Sequence, residues 1–196
     1  CQERLAALRE DEKHYTLALS NAIEDMRIEN GGKILYPGMP ASIDATASQV
    51  GKQFVDEHYE ENPDIVNDRD MMLPIAITWA GRKALGYKGE WNEACLSLLP
   101  DETRKRAEQV ADLALQLPTG ALDVASIDKK VAYEGTKQAI DLAELIAFEE
   151  AQRREEEEPP PPPGQPEGPC NDGPAGDAPT GAGGESGECP VGSGSG

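Results

Sequence analysis

The chain has 196 residues, of which 37 are acidic and 18 basic, for a formal net charge of −19. That balance excludes nucleic-acid binding over a broad basic face, which needs Lys and Arg to neutralise phosphates, and it disfavours charge-driven attachment to anionic lipid. The composition is also uneven: from Glu155 to Gly196 there are nine acidic residues, no Lys or Arg, 10 of the 16 prolines and 11 of the 20 glycines.

Removing those nine charges leaves −10 on residues 1–154, so the remaining chain is itself acidic. The Pro/Gly/acidic stretch has too little apolar surface to offset the entropy of ordering. It is expected to be a disordered tail over residues 157–196, behind a helical domain over residues 1–156.

The first element reads as a helix over residues 1–28. Cys1, Leu5, Leu8, Glu12, Tyr15, Leu19, Ala22 and Met26 recur at steps of three and four, and Leu17, Ala18 and Ile23 widen the apolar face. Asn30-Gly31-Gly32 is expected to stop it in a left-handed conformation. Residues 33–41 carry Pro37-Gly38 and Pro40 and read as a turn. Ser42 is the expected cap of a second helix, with Ile43, Ala47, Val50 and Phe54 on one stripe, closed by Asn62-Pro63.

The densest apolar run, Met71 to Leu99, holds both tryptophans and is the expected centre of the fold. Within it a compact helix is expected from Pro74, as first residue, to Leu85, stopped by Gly86. A short helix follows over about Trp91–Leu98, ended by Pro100. Asp101 to Leu117 is amphipathic, with Asp101 as cap and Ala107, Val110, Ala111, Leu113, Ala114 and Leu117 inward. Arg104-Lys105-Arg106 reads as its wet side.

A last helix is expected from Asp123 or Ser126 to about Glu156. Its segment Ala139–Phe148 has eight apolar residues in ten, an arc that calls for neighbours on two sides in the middle of the bundle. The Glu149–Glu158 end is expected to project into water. Pro159–Pro163 would then form an extended spacer of about 15 Å, at roughly 3 Å per residue. The fold class is therefore all-α: a compact bundle of five to six helices with a long C-terminal helix.

No catalytic motif emerges. There is no nucleophile elbow, phosphate-binding Gly-rich loop or paired Cys-x-x-Cys. His14 and His58 sit in similar acidic surroundings, but neither is in the Glu-x-x-His register of a two-metal helical centre. No cofactor and no metal ligand is assigned. Cys95, between Ala94 and Leu96, reads as a buried small hydrophobe.

Cys1 is a lipidation candidate, because a bacterial lipoprotein is cleaved immediately before the cysteine that carries its lipid. Cys170 and Cys189 bracket a flexible run and are a disulfide candidate in an oxidising compartment.

These residues point to a non-enzymatic helical scaffold or adaptor of an extracytoplasmic compartment, whether periplasm, cell envelope or extracellular. Its partner is expected to be a protein or a larger assembly, with self-association allowed, no nucleic acid, and membrane contact only through a lipid on Cys1. The alternatives are a structural subunit of a virion or envelope complex, and a helical metal-dependent enzyme using His14 or His58 with nearby carboxylates.

Overall fold

The computed structural model describes residues 10–157. The chain divides into two units, Cys1–Glu158 and Pro159–Gly196, and every described residue belongs to the first. Six α-helices occur among the described residues: α1 Glu10–Leu35, α2 Met39–Phe54, α3 Arg69–Ala84, α4 Glu90–Leu98, α5 Asp101–Leu115 and α6 Lys129–Glu157. A π-helical turn, Val55–Tyr59, and a 3-10 turn, Pro63–Asn67, join α2 to α3. A two-stranded antiparallel hairpin, β1 Ala121–Asp123 and β2 Ser126–Ile127, precedes α6. The expected all-α bundle with a long last helix is what forms.

The apolar run expected at the centre is there. On α3, Met72, Leu73, Ala76, Ile77, Trp79 and Ala80 are all buried, and the helix packs chiefly on α5, then on α1 and α4. Phe54 meets the Trp79 ring edge-on at 5.2 Å, an arrangement the ring quadrupoles favour.

Pro74 is not a first residue. The helix begins at Arg69, with the Asp68 carboxylate accepting from the Met71 amide at 3.0 Å, and runs through Pro74 to Ala84. Proline in the second turn removes the one ladder bond that would reach the Asp70 carbonyl. Burial of Leu73, Pro74, Ala76 and Ile77 together outweighs that loss. Gly86, at φ 77°, ends the segment as expected.

On α1 the seam positions Tyr15, Leu19, Ala22 and Met26 are buried together with Ile23, whereas Leu17 and Ala18 face water. The seam positions Cys1, Leu5 and Leu8 lie outside the described residues. Gly31 and Gly32 do not stop the helix, which continues to Leu35. They serve close packing instead: a Cβ on Gly31 would come 2.8 Å from Thr119 Cβ, and one on Gly32 would overlap the Met39 side chain. From the same part of α1, the Asn30 amide donates to the Leu115 carbonyl at 2.9 Å and the Lys33 ammonium to the Leu85 carbonyl at 2.5 Å. One helix thus satisfies carbonyls at the C-terminal ends of α5 and α3, which have no partner within their own helix.

The second helix starts earlier than Ser42. Gly38 occupies the cap position, and Met39 and Pro40 the first two helical positions, where a missing N–H costs nothing. Val50 faces water, and Gly51 is buried against Trp91 in its place. In α5 the cap position belongs to Pro100, with Asp101 as first helical residue, and Leu113 is exposed.

The last helix starts at Lys129, later than the expected Asp123 or Ser126, because residues 121–127 form the hairpin. Asp128 then opens α6 by accepting from the Lys130 and Val131 amides at 2.9 and 3.1 Å. This helix lies along α1, burying Gly135, Ala139, Ala143, Ile146 and Glu150. The expected two-sided burial does not occur, since Leu145 and Phe148 stand exposed.

Candidate functional site

Two regions of the molecule carry unusual chemistry, and α6 runs from one to the other. The first centres on Glu150, whose position continues the buried stripe of α6 at a step of four from Ile146. Only 2% of its surface is exposed. Arg69, at the start of α3, grips it with Nε at 2.8 Å and Nη2 at 3.0 Å. Arg153 Nε lies at 3.1 Å and Arg106 Nε, from α5, at 3.4 Å.

Around this core, Arg69 also reaches Glu102 at 2.6 Å, Arg106 pairs with Glu149, and Arg154 meets Asp70 at 2.8 Å. Burial works to raise the Glu150 pKa, but hydrogen bonds and charge from Arg69 and Arg153 outweigh it and hold the carboxyl below its ordinary value. Tyr15 stands beside the cluster with the Arg154 guanidinium 5.6 Å from its ring. Burial, and then the Glu150 and Asp70 charges, push its phenol upward, so it stays protonated.

The Glu149–Glu158 end therefore does not simply project into water: Glu150, Arg153 and Arg154 bind it to α3 and α5. Arg106, read from sequence as wet, is part of the same cluster. The 3.6-residue stripe through Ala139, Ala143 and Ile146 is the signal for Glu150's burial; of its partners only Arg153, three residues on, is near in sequence, while Arg69 and Arg106 are distant and give none.

On the outer side of this end runs a groove of about 720 Å³ between the start of α1 and the second half of α6. Leu145, Ala147, Phe148 and Ala151 provide apolar lining, while Glu12, Asp141, Glu144 and Glu155 provide acidic groups. A smaller groove of about 430 Å³ touches Glu29 and Arg82, which pair at 2.7 Å, together with Ile43 and Val50 of α2. Trp79, Tyr87 and Trp91 line neither groove.

The second region is the hairpin end. The Ala125 amide donates to the Leu35 carbonyl at 3.2 Å, which sets the turn against the end of α1. Gathered here are Ile34, Tyr36, Leu122, Val124, Ile127 and Val131, between 41% and 66% exposed, with Tyr133 at 75%. Exposed apolar side chains occur singly on any protein, but here they fall together on the hairpin, the end of α1 and the first turn of α6. Behind them the end is firmly held. Arg27 of α1 donates to the Pro118 carbonyl at 2.8 Å and to Thr136 at 3.1 Å, and its guanidinium pairs with Glu24.

The residues singled out in the sequence fall elsewhere. His14 is exposed on α1, and His58 is exposed in the π-helical turn with its ring 6.1 Å from that of Phe54. Among the described residues no three His, Cys, Asp or Glu side chains are grouped so as to hold a metal ion. Cys95 is fully buried, its thiol pushed by burial up to about 11 and directed at the Gly51 carbonyl at 3.7 Å, which makes it a poor nucleophile. Cys1, Cys170 and Cys189 lie outside the described residues. Among those described, no helix is long and apolar enough to cross a membrane.

The described residues thus define an all-α bundle closed by ion pairs at one end and apolar at the other. No family, curated protein or solved structure matches the chain.

Proposed function

We propose that the chain is a non-enzymatic helical scaffold or adaptor that docks a protein partner on its hairpin end. The observation that supports this is the group of exposed apolar side chains on β1, β2 and the end of α1, on a hairpin tied to α1 by the Ala125 to Leu35 hydrogen bond and flanked by Pro118 and Thr136, both bound by Arg27. Transfer of apolar surface from water is worth about 25 cal/mol per Å², and at this end the described residues leave that gain unrealised. The anchored hairpin presents the side chains without a large ordering cost on binding.

The compartment we propose is extracytoplasmic, and what supports it is the pair Cys170 and Cys189 on either side of a Gly/Pro-rich run, a spacing suited to an oxidising compartment.

A photoreactive residue at Leu122 in the native source tests the docking surface. The expected result is one adduct of fixed mass that disappears when Val124→Asp is added, while unfolding free energy stays within about 0.5 kcal/mol, as for most surface changes. Labelling indifferent to Val124→Asp would overturn the surface. Light scattering that shows a large homogeneous self-assembly of the pure chain would favour a structural subunit instead. Mass spectrometry of native material addresses the compartment separately: free thiols at Cys170 and Cys189 would remove its support.

A further inference from the structure

Among the helices of the bundle, α2 is attached in a different way from α3, which has the same length. We propose that α2 is a flap: residues 37–53 swing away from α4 about Phe54 and uncover Trp91 and Cys95, while α1, α3, α5 and α6 stay packed.

The first observation is how little α2 buries. Of its sixteen residues only Ala47, Gly51 and Phe54 are buried, against eight of sixteen in α3. Ala47 and Gly51 bring almost no side chain, so the main apolar hold is that of Phe54 on Trp79, at the last residue of the helix.

The second is the contrast between its two ends. Pro37 and Gly38 are exposed, and a Cβ on Gly38 would meet nothing within 4 Å. Beyond Phe54 the helix widens into the π-helical turn, and Val66 of the 3-10 turn that follows is buried in the core. The chain is loose where it enters α2 and anchored just after it leaves, which places the pivot at Phe54.

The third is that α2 is held chiefly along one side. There the Asp44 carboxylate accepts from the Lys88 and Gly89 amides at 3.1 and 2.8 Å, and the Cys95 thiol points at the Gly51 carbonyl at 3.7 Å. Gly51 lies so near α4 that a Cβ on it would come 2.8 Å from the Trp91 Cβ. On the other side Met39 packs on Gly32 of α1, and from there Ile43, Ala47 and Val50 line the open groove of about 430 Å³ beside Glu29 and Arg82. Among the described residues the ion pair that α2 makes, Lys52 with Asp56, joins it to the turn that follows it in sequence, whereas α3, α5 and α6 are joined to one another at Glu150.

A segment with few buried contacts opens at a free energy below that of the whole fold. A detached helix of sixteen residues is marginal in water, so the flap unwinds as it lifts. The apolar strip at Trp91 and Cys95 is then reached without loss of the bundle.

Cys95 reports the opening, because Gly51 covers its thiol when α2 is closed. The test uses the full chain with Cys1→Ser, Cys170→Ser and Cys189→Ser, treated with dithionitrobenzoate at urea concentrations below the unfolding transition. Labelling follows the population of the open form when closing is faster than the reaction. The expected rate rises with urea far less steeply than the unfolding equilibrium does, because a flap exposes a small part of the surface that unfolding exposes. A rate that carries the full slope of unfolding from zero urea would mean that Cys95 is reached only through loss of the whole bundle, and would overturn the proposal.

Asp44→Ala removes two charge-assisted hydrogen bonds between α2 and the loop before α4, and should raise the low-urea rate by about tenfold. An unchanged rate would show that the moving contact is not this one and would overturn the proposal. Hydrogen exchange of the unsubstituted chain identifies the helix that moves: the Gly51 and Lys52 amides should be protected at least roughly tenfold less than the Cys95 and Leu96 amides of α4. Equal protection in the two helices would make α4 part of the moving unit and overturn it as well.

Discussion

Around Glu150 a carboxylate has entered the interior of the bundle and is met there by Arg69, Arg106 and Arg153. Around the hairpin the order is reversed, and side chains that would be stable inside stand in water. The difference concerns where each end finds its complement. The charges near Glu150 are satisfied within the chain, at the cost of desolvating four groups, and they fix how α3, α5 and α6 sit together. The apolar side chains of the hairpin find no complement among the described residues, and the proposed partner would supply it there. A buried ion pair is a weak source of net stability but a strong constraint on arrangement, because removing one member leaves the other charged and dry.

Glu150→Gln is the largest test of that contrast. It leaves three guanidinium groups facing a neutral amide and should lower the unfolding free energy by about 3–5 kcal/mol, the usual cost of breaking a buried pair, read by urea unfolding. A loss near that of an exposed pair, under about 1 kcal/mol, would mean that water already screens the cluster and that the two ends differ less than their geometry implies.

Acid titration sharpens the same point. The folded-state pKa of Glu150 is lowered from an ordinary value of 4.5, burial opposing and the arginine hydrogen bonds prevailing, and Glu24 is lowered in the same way beside Arg27 and Thr136. Their contribution is complete above pH 4.5 and is lost as pH falls through the depressed folded values. Asp25 acts with the opposite sign: burial and the neighbouring Glu29 raise its pKa above 3.8, so protonation favours the folded state there. Wild-type stability should fall below pH 4.5, and in Glu150→Gln that fall should be visibly shallower. An identical acid limb in both proteins would remove Glu150 from the account.

Gly135→Ala probes the junction between the ends. A Cβ at Gly135 would overlap the Pro118 carbonyl, a backbone atom that Arg27 holds in place. Neither side can yield cheaply, and overpacking of this kind costs about 1–3 kcal/mol. Gly81→Ala is the useful comparison, since the Cβ there meets the flexible Met26 side chain. Gly81→Ala should cost less; if it costs as much, backbone rigidity is not what distinguishes the two sites.

The helices themselves were legible because burial follows the 3.6-residue period. The stripes through Tyr15, Leu19, Ala22 and Met26 and through Ala107, Val110, Ala111 and Ala114 are buried where spacing placed them. Terminators were less legible, since glycine and proline answer to packing as well as to local conformation. Gly31, Gly32 and Pro74 all sit inside helices because Thr119, Met39 and the core around Leu73 decide the matter.

The ionic cluster was the least legible feature. In a chain with 37 acidic residues, nothing local marks Glu150 as the one that Arg69 will meet from 81 positions away. The hairpin was hidden by its brevity, with three residues in one strand and two in the other.

Ala125 gives the smallest effect and acts on the hairpin alone. It is the one described non-glycine residue with positive φ, at 63°, in the two-residue turn between Asp123 and Ser126. A left-handed L-residue costs roughly 1–2 kcal/mol through crowding of Cβ, and glycine removes that cost while adding about 0.5–1 kcal/mol of chain entropy to be lost on folding. Ala125→Gly should therefore raise stability by about 0.5 kcal/mol, whereas Val124→Gly, at a position without positive φ, should lower it. If both substitutions destabilise equally, the turn is not strained in solution, and the hairpin end is more loosely held than the Arg27 contacts and the Ala125 to Leu35 hydrogen bond imply. The proposed adaptor surface would need those contacts to keep Leu122 and Val124 in place before a partner arrives. The pair of glycine variants thus measures how far the apolar end is preorganised, independently of any partner.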